Sequence, residues 1–251
     1  ITGSYINRSS TDYVGLFGYT NGSTIQDIGM VGGSLTGGNN AYVGGLVGRN
    51  VDTAINNSYA TGAVSGNISG VVGGLVGRNE GSSSISNSYA TGSVSCSDID
   101  NGVGGLVGIN VTPSSISNSY ATGTVSGTTD VGGLVGRNAS GTISNSYATG
   151  GVSSSTNAGG LVGNLITGTI TNSYAIGSVT GTAANKGGLV GASSSTINSS
   201  YYCGSPNNSL GTQVTPSQLK NRSTFSDWDF KNTWLMDENK NYPYHTWEAW
   251  N

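Results

Sequence analysis

A self-similar period of 27 to 31 residues runs through most of the chain, and such a period decides the fold before any single residue does. Gly44-Gly45-Leu46-Val47-Gly48 recurs from Gly73, Gly104, Gly132, Gly159 and Gly187, and Val14-Gly15-Leu16-Phe17-Gly18 is a degenerate first copy. A second block, Asn57-Ser58-Tyr59-Ala60-Thr61-Gly62, returns from Asn87, Asn118 and Asn145, then in altered form from Asn172 and Ser199. Three apolar marks punctuate each period. They are the Leu-Val of the glycine block, an isoleucine before Asn-Ser-Tyr such as Ile55 or Ile85, and a valine after it such as Val64 or Val94.

A unit this short cannot bury a core alone, but stacked copies can. The marks are too brief for helices, and no 3.6-residue periodicity runs through residues 1–200. The pattern predicts an all-β chain: a right-handed parallel β-helix, or β-solenoid, of about seven coils. Each coil would carry three short strands, ~4.8 Å from the next coil. Asn50, Asn79, Asn110 and Asn138 then form one column and Asn57, Asn87, Asn118, Asn145 and Asn172 another, both suited to amide ladders. Tyr59, Tyr89, Tyr120, Tyr147, Tyr174 and Tyr201 predict an aromatic stack, read as structural in preference to displayed. The 43 glycines are read mostly as corners that need positive φ.

Composition closes several functional classes. Nine scattered Lys and Arg residues make no nucleic-acid surface, and no apolar run is long enough to span a membrane. One histidine and two cysteines leave no metal or cofactor set, so no metal and no cofactor is expected. His245 has no ligand partner at a recognised spacing and reads as a tail residue. Catalytic residues are likewise not assigned. Asp52 with Asp130, and Asp98 with Asp100, are solvated loop acids rather than a glycosidase pair, and Asp98-Ile99-Asp100-Asn101-Gly102 lacks the distal Glu of a calcium loop. Arg49, Arg78 and Arg137 share a column, read as a solvated edge before a basic stripe for an anionic glycan.

The blocks resemble the GLUG-motif family, whose glycine-leucine-any-glycine signature stands here as Gly45-Leu46-Val47-Gly48 and its copies, over roughly residues 14–204. That resemblance implies an exported repeat module of bacterial or archaeal surface proteins and adhesins. The motif also accompanies secreted immunoglobulin-cleaving peptidases, whose chemistry lies in a separate zinc domain. The His-Glu-x-x-His pattern of that domain is absent from this chain. The expected function is therefore an extracellular structural or adhesive protein of a microbial surface, in a filament, sheath or surface layer, and not an enzyme. The alternative is a polysaccharide-binding or polysaccharide-degrading β-helix.

The ends differ from the middle. Ile1-Thr2-Gly3-Ser4-Tyr5 matches an Ala-Thr-Gly-x-Val segment, so the chain starts inside a coil. Its open edge suggests self-association through the solenoid ends, or an upstream domain. Residues 1–204 are read as the solenoid and 205–251 as an aromatic-rich C-terminal cap. Thr215 and Pro216 would start a short helix there, with Trp228, Phe230 and Trp234 on the last coil. Tyr242, Tyr244, Trp247 and Trp250 are candidate glycan contacts. Cys96 and Cys203 stand about four coils apart, too far to bridge, so they are either free thiols or candidates for intermolecular disulfides. Asn7, Asn21, Asn67, Asn110, Asn138, Asn207 and Asn221 are candidate glycosylation sites. The expected partners are further copies, surface glycans or a cell-surface ligand.

Overall fold

A computed structural model describes residues 1–97, 101–204 and 206–250, with Trp250 described by its backbone alone. The chain is all-β, and about seven parallel coils stack into a β-solenoid. Each repeat forms one coil. In the second, strands run at Ser34–Gly37, Tyr42–Gly44, Val47–Val51, Ala54–Asn56 and Tyr59–Ala60. The expected three strands per coil are thus five segments, which like segments of successive coils extend into four parallel sheets. The glycine block bends the chain between the second and third segments. A second turn, at Asp52-Thr53, separates the third and fourth, and it straightens out in the ten-residue strands Val135–Ser144 and Val162–Thr171.

Register is strict. Val64 pairs with Val94, Ile85 with Ile116 and Tyr89 with Tyr120. Like residues therefore stack into columns, and two apolar compartments result. One holds the Leu46, Val47, Ile55 and Ala60 columns. The other holds the Val43 and Val64 columns. Most of these side chains are fully buried, each stabilising the fold by about 1.5–3 kcal/mol for a Val, Leu or Ile.

The block glycines are not positive-φ corners. Those corners fall to the asparagines of the Asn-Ser-Tyr blocks, with φ of 48° at Asn57 and Asn87 and 47° at Asn118. Asparagine tolerates the left-handed region better than most residues. The glycine pair answers a different demand, close approach of backbone. A Cβ on Gly44 would sit 2.2 Å from the Val47 carbonyl oxygen, and one on Gly45 would sit 2.4 Å from that of Gly74 in the next coil.

Of the two expected asparagine columns, the one that begins at Asn50 is an amide ladder. Asn50 Nδ2 donates to Asn79 Oδ1 at 2.8 Å, Asn79 to Asn110 at 2.9 Å and Asn110 to Asn138 at 2.8 Å. All four are buried, and Leu165 takes over the column above them. A serine ladder, missed in the sequence, runs beside the tyrosines. Ser58 N–H donates to Ser88 Oγ at 3.1 Å, and Ser88 N–H to Ser119 Oγ at 3.3 Å. The pattern continues through Ser146 and Ser173 to Ser200. Each hydroxyl closes its own turn on a carbonyl two residues back, as Ser88 does on Ser86. These bonds satisfy backbone groups that burial would otherwise leave unpaired.

Residues 206–214 close the last coil. Gly188 N–H donates to Pro206 O, and Asn208 Nδ2 to the carbonyls of Val190 and Gly191. Thr212–Val214 adds a strand to Tyr201–Cys203, and Tyr202 fills the interior where earlier coils have alanine. The tail then leaves the end of the solenoid. Thr215 and Gln218 cap each other reciprocally, opening a 3-10 turn at Gln218–Lys220 rather than a helix from Pro216.

Candidate functional site

The tyrosine column is a true stack. Ring centroids lie 4.7 Å apart for Tyr59–Tyr89, 4.9 Å for Tyr89–Tyr120 and Tyr120–Tyr147, and 5.0 Å for Tyr147–Tyr174. Interplanar angles stay between 3° and 9°. Tyr201 meets Phe225 edge-on at 5.2 Å.

Beside it the tail builds a second column, running back along the solenoid instead of staying on the last coil. Phe225, Trp228, Trp234, His245 and Trp247 follow one another at 4.5, 4.4, 4.5 and 5.4 Å. Trp228 stands against Tyr174 and Tyr201, Trp234 against Tyr147 and Tyr174, and Trp247 against Tyr89 and Tyr120. Phe230 packs on Phe225 and Trp228. Aromatic pairs of this kind contribute about 0.5–1.5 kcal/mol each beyond area burial.

Polar ties fix the strap. Tyr174 OH donates to Pro243 O at 2.6 Å, Tyr147 OH to Glu248 Oε2 at 2.8 Å, and Trp228 Nε1 to Ser199 O at 2.9 Å. His245 is fully buried, not a loose tail residue. Its Nδ1 lies 2.9 Å from Glu248 Oε1 and its Nε2 lies 2.7 Å from Asn145 O. The His245-x-x-Glu248 spacing was the signal in the sequence for this tie. Burial pushes the Tyr120, Tyr147 and Tyr174 phenols well above the usual tyrosine range, and the Glu248 carboxylate adds to the effect.

Beside Trp247 a groove opens. Trp247, Tyr89 and Tyr59 bound it, and Asn57, Asn87 and Asp27 supply amides and a carboxylate, around about 450 Å³. All six are at least partly exposed. Such a set can hold a ring against aromatic surface and hydrogen-bond its substituents.

The candidate residues scatter around this feature. Of the proposed glycan-contact aromatics, Trp247 lines the groove. Tyr242 lies under the Lys220 ammonium, 5.0 Å from its ring centroid, and Tyr244 pairs with Leu235 in a two-stranded ribbon. The Trp250 side chain lies outside the described residues, as do Asp98 and Asp100. Asp52 accepts from Ser82 N–H on an exposed turn, while Asp130 is buried and accepts from Asn157 Nδ2 at 2.6 Å. Among the described residues no three His, Cys, Asp or Glu side chains gather as a metal set, and no helix is long and apolar enough to cross a membrane.

The arginine column is not a free basic stripe. Glu80 receives both Arg49 and Arg78, each Nε at 2.6 Å, and Arg137 Nε lies 4.0 Å from Asp130. Burial opposes ionisation of Glu80, but the two guanidiniums hold its carboxyl below the usual range. Asn110 and Asn138 drop out as glycosylation sites, since both are fully buried in the amide ladder. Asn7, Asn21, Asn67 and Asn207 are exposed, and Asn221 is half-buried and caps a 3-10 turn. Cys96 is largely buried, with its Sγ donating to Asn67 O. Cys203 is half-buried beside the aromatic cluster, and burial raises its thiol pKa.

The fold and its repeat define a GLUG-type β-solenoid. The family model described as the GLUG motif matches residues 39–65, 68–95, 100–126, 127–153 and 154–180, more than half of the chain. The protein belongs to the GLUG-motif family. No curated protein matches the sequence. Among solved structures the chain is similar to that of a putative immunoglobulin A1 protease from Bacteroides ovatus, at 23% identity and a TM-score of 0.64. The similarity covers 98% of this chain and 74% of that one, and it extends to the fold.

Proposed function

We propose that the protein is an extracellular structural or adhesive module of a microbial cell surface that binds rather than catalyses. The observation that carries this reading is the braced tyrosine column. Four stacked pairs from Tyr59 to Tyr174 are locked by a tail that lies across several coils at once. A chain that commits its aromatic residues to stiffening suits a rod that presents a surface at fixed geometry. Family membership supports the same reading. Three of the described acids serve structural partners: Glu80 two arginines, Glu248 a histidine and a tyrosine, and Asp130 an asparagine.

Adhesion is preferred to end-to-end filament growth. Stacking copies head to tail would have to displace Pro206 through Val214 from the last coil. Antibody labelling of intact source cells tests the proposal. Labelling without permeabilisation is expected, and labelling only after lysis would overturn it.

A further inference from the structure

We propose that the groove beside Trp247 is a binding site for a neutral saccharide. The inference deepens the adhesive reading and rests on it. Its basis is the arithmetic of the two aromatic columns. Each tail ring stands beside one or two tyrosines, and among the described residues the tail column ends at Trp247, level with Tyr89 and Tyr120. Tyr59 continues the inner column one rung further, and the groove lies in front of it. A ligand ring stacked on Trp247 at the spacing of the tail, 4.4 to 5.4 Å, would take the next rung.

The groove lining selects the chemistry of that ring. A pyranose has apolar C–H faces for the indole and a rim of hydroxyls. Asn57 and Asn87 offer donors and acceptors to that rim, and Asp27 an acceptor. No side-chain hydrogen bond within the described protein uses either amide. Among the described lining residues there is no cation, and Asp27 repels anions, so uronates, sulfates and phosphates are disfavoured. An aromatic peptide side chain could stack on Trp247 but would leave these polar groups without partners.

Titration of the purified chain with neutral chito-, cello- and manno-oligosaccharides, followed by tryptophan emission and calorimetry, tests the site. Polygalacturonate and an aromatic-rich peptide serve as the contrasting probes. At least one neutral series should bind, and Trp247→Ala should weaken it by about tenfold or more. Because Trp247 also packs the tail, Asn57→Gly with Asn87→Gly is the second variant. Glycine keeps the left-handed backbone at both positions, so affinity should fall about tenfold with an unchanged melting temperature. No binding of any neutral series, binding of polygalacturonate or the peptide alone, or full affinity in both variants would overturn the proposal. Cell labelling is independent of these outcomes. An external protein with an inert groove loses the site alone, and a sugar-binding protein found only inside cells loses the surface reading alone.

Discussion

Asparagine shows how one residue type serves two physical ends in this chain. Asn50, Asn79, Asn110 and Asn138 are buried amides bonded to their own kind, whereas Asn57, Asn87 and Asn118 hold a left-handed backbone. Both columns were legible in the sequence as columns. Their roles were not, because register alone does not reveal φ. The prediction is specific. Asn118→Gly should leave stability nearly unchanged, whereas Asn118→Ala should cost about 1–2 kcal/mol, read from urea denaturation. The glycines invite the opposite test, of space instead of φ. A Cβ on Gly105 would stand 2.0 Å from the Gly133 carbonyl oxygen, whereas on Gly151 the nearest atom is the Ser178 hydroxyl at 3.2 Å. Gly105→Ala should therefore destabilise by about 3 kcal/mol or fail to fold, and Gly151→Ala should remain within about 1 kcal/mol of the parent on thermal melting.

At the level of elements, the tail departs furthest from its expected place. The composition shift after Gly204 marked a distinct segment, but its aromatics were expected on the last coil. The path was hidden, since Trp228, Trp234 and Trp247 follow no repeat spacing and meet their tyrosines only once the coils are stacked. The docking has a pH signature. Tyr147 and Tyr174 are held neutral in the folded protein, while unfolded tyrosine ionises near pH ~10. Folded pKa values above the unfolded one mean that stability is intact below about pH 10 and is lost as pH rises beyond it. Melting temperature should fall in that window together with the rise of tyrosinate absorbance. Tyr174→Phe should soften the alkaline fall while lowering stability near neutrality by about 0.5–1.5 kcal/mol, through loss of the bond to Pro243. An alkaline fall identical in the variant would count against this role for Tyr174.

Across the whole molecule, the repeat period announced the solenoid and its coil count directly. Segmentation of each coil escaped the sequence. Tyr42–Gly44 and Tyr59–Ala60 are strands that carry none of the three apolar marks, and the marks sort into two apolar compartments. The groove was half legible. Trp247 stood out as an aromatic, but Tyr59, Asn57 and Asp27 looked like ordinary repeat positions until the docked tail set Trp247 beside them. The central claim is that the tail straps a stacked tyrosine column, and His245 reports on it alone, because the chain has one histidine. The decisive measurement is a nuclear Overhauser spectrum of the imidazole protons. Cross-peaks to the rings of Tyr120, Tyr147, Trp234 and Trp247 are predicted, since all four lie within 6.4 Å by ring centroid. An imidazole with solvent-like shifts and no cross-peak to Tyr120 or Tyr147 would contradict the account.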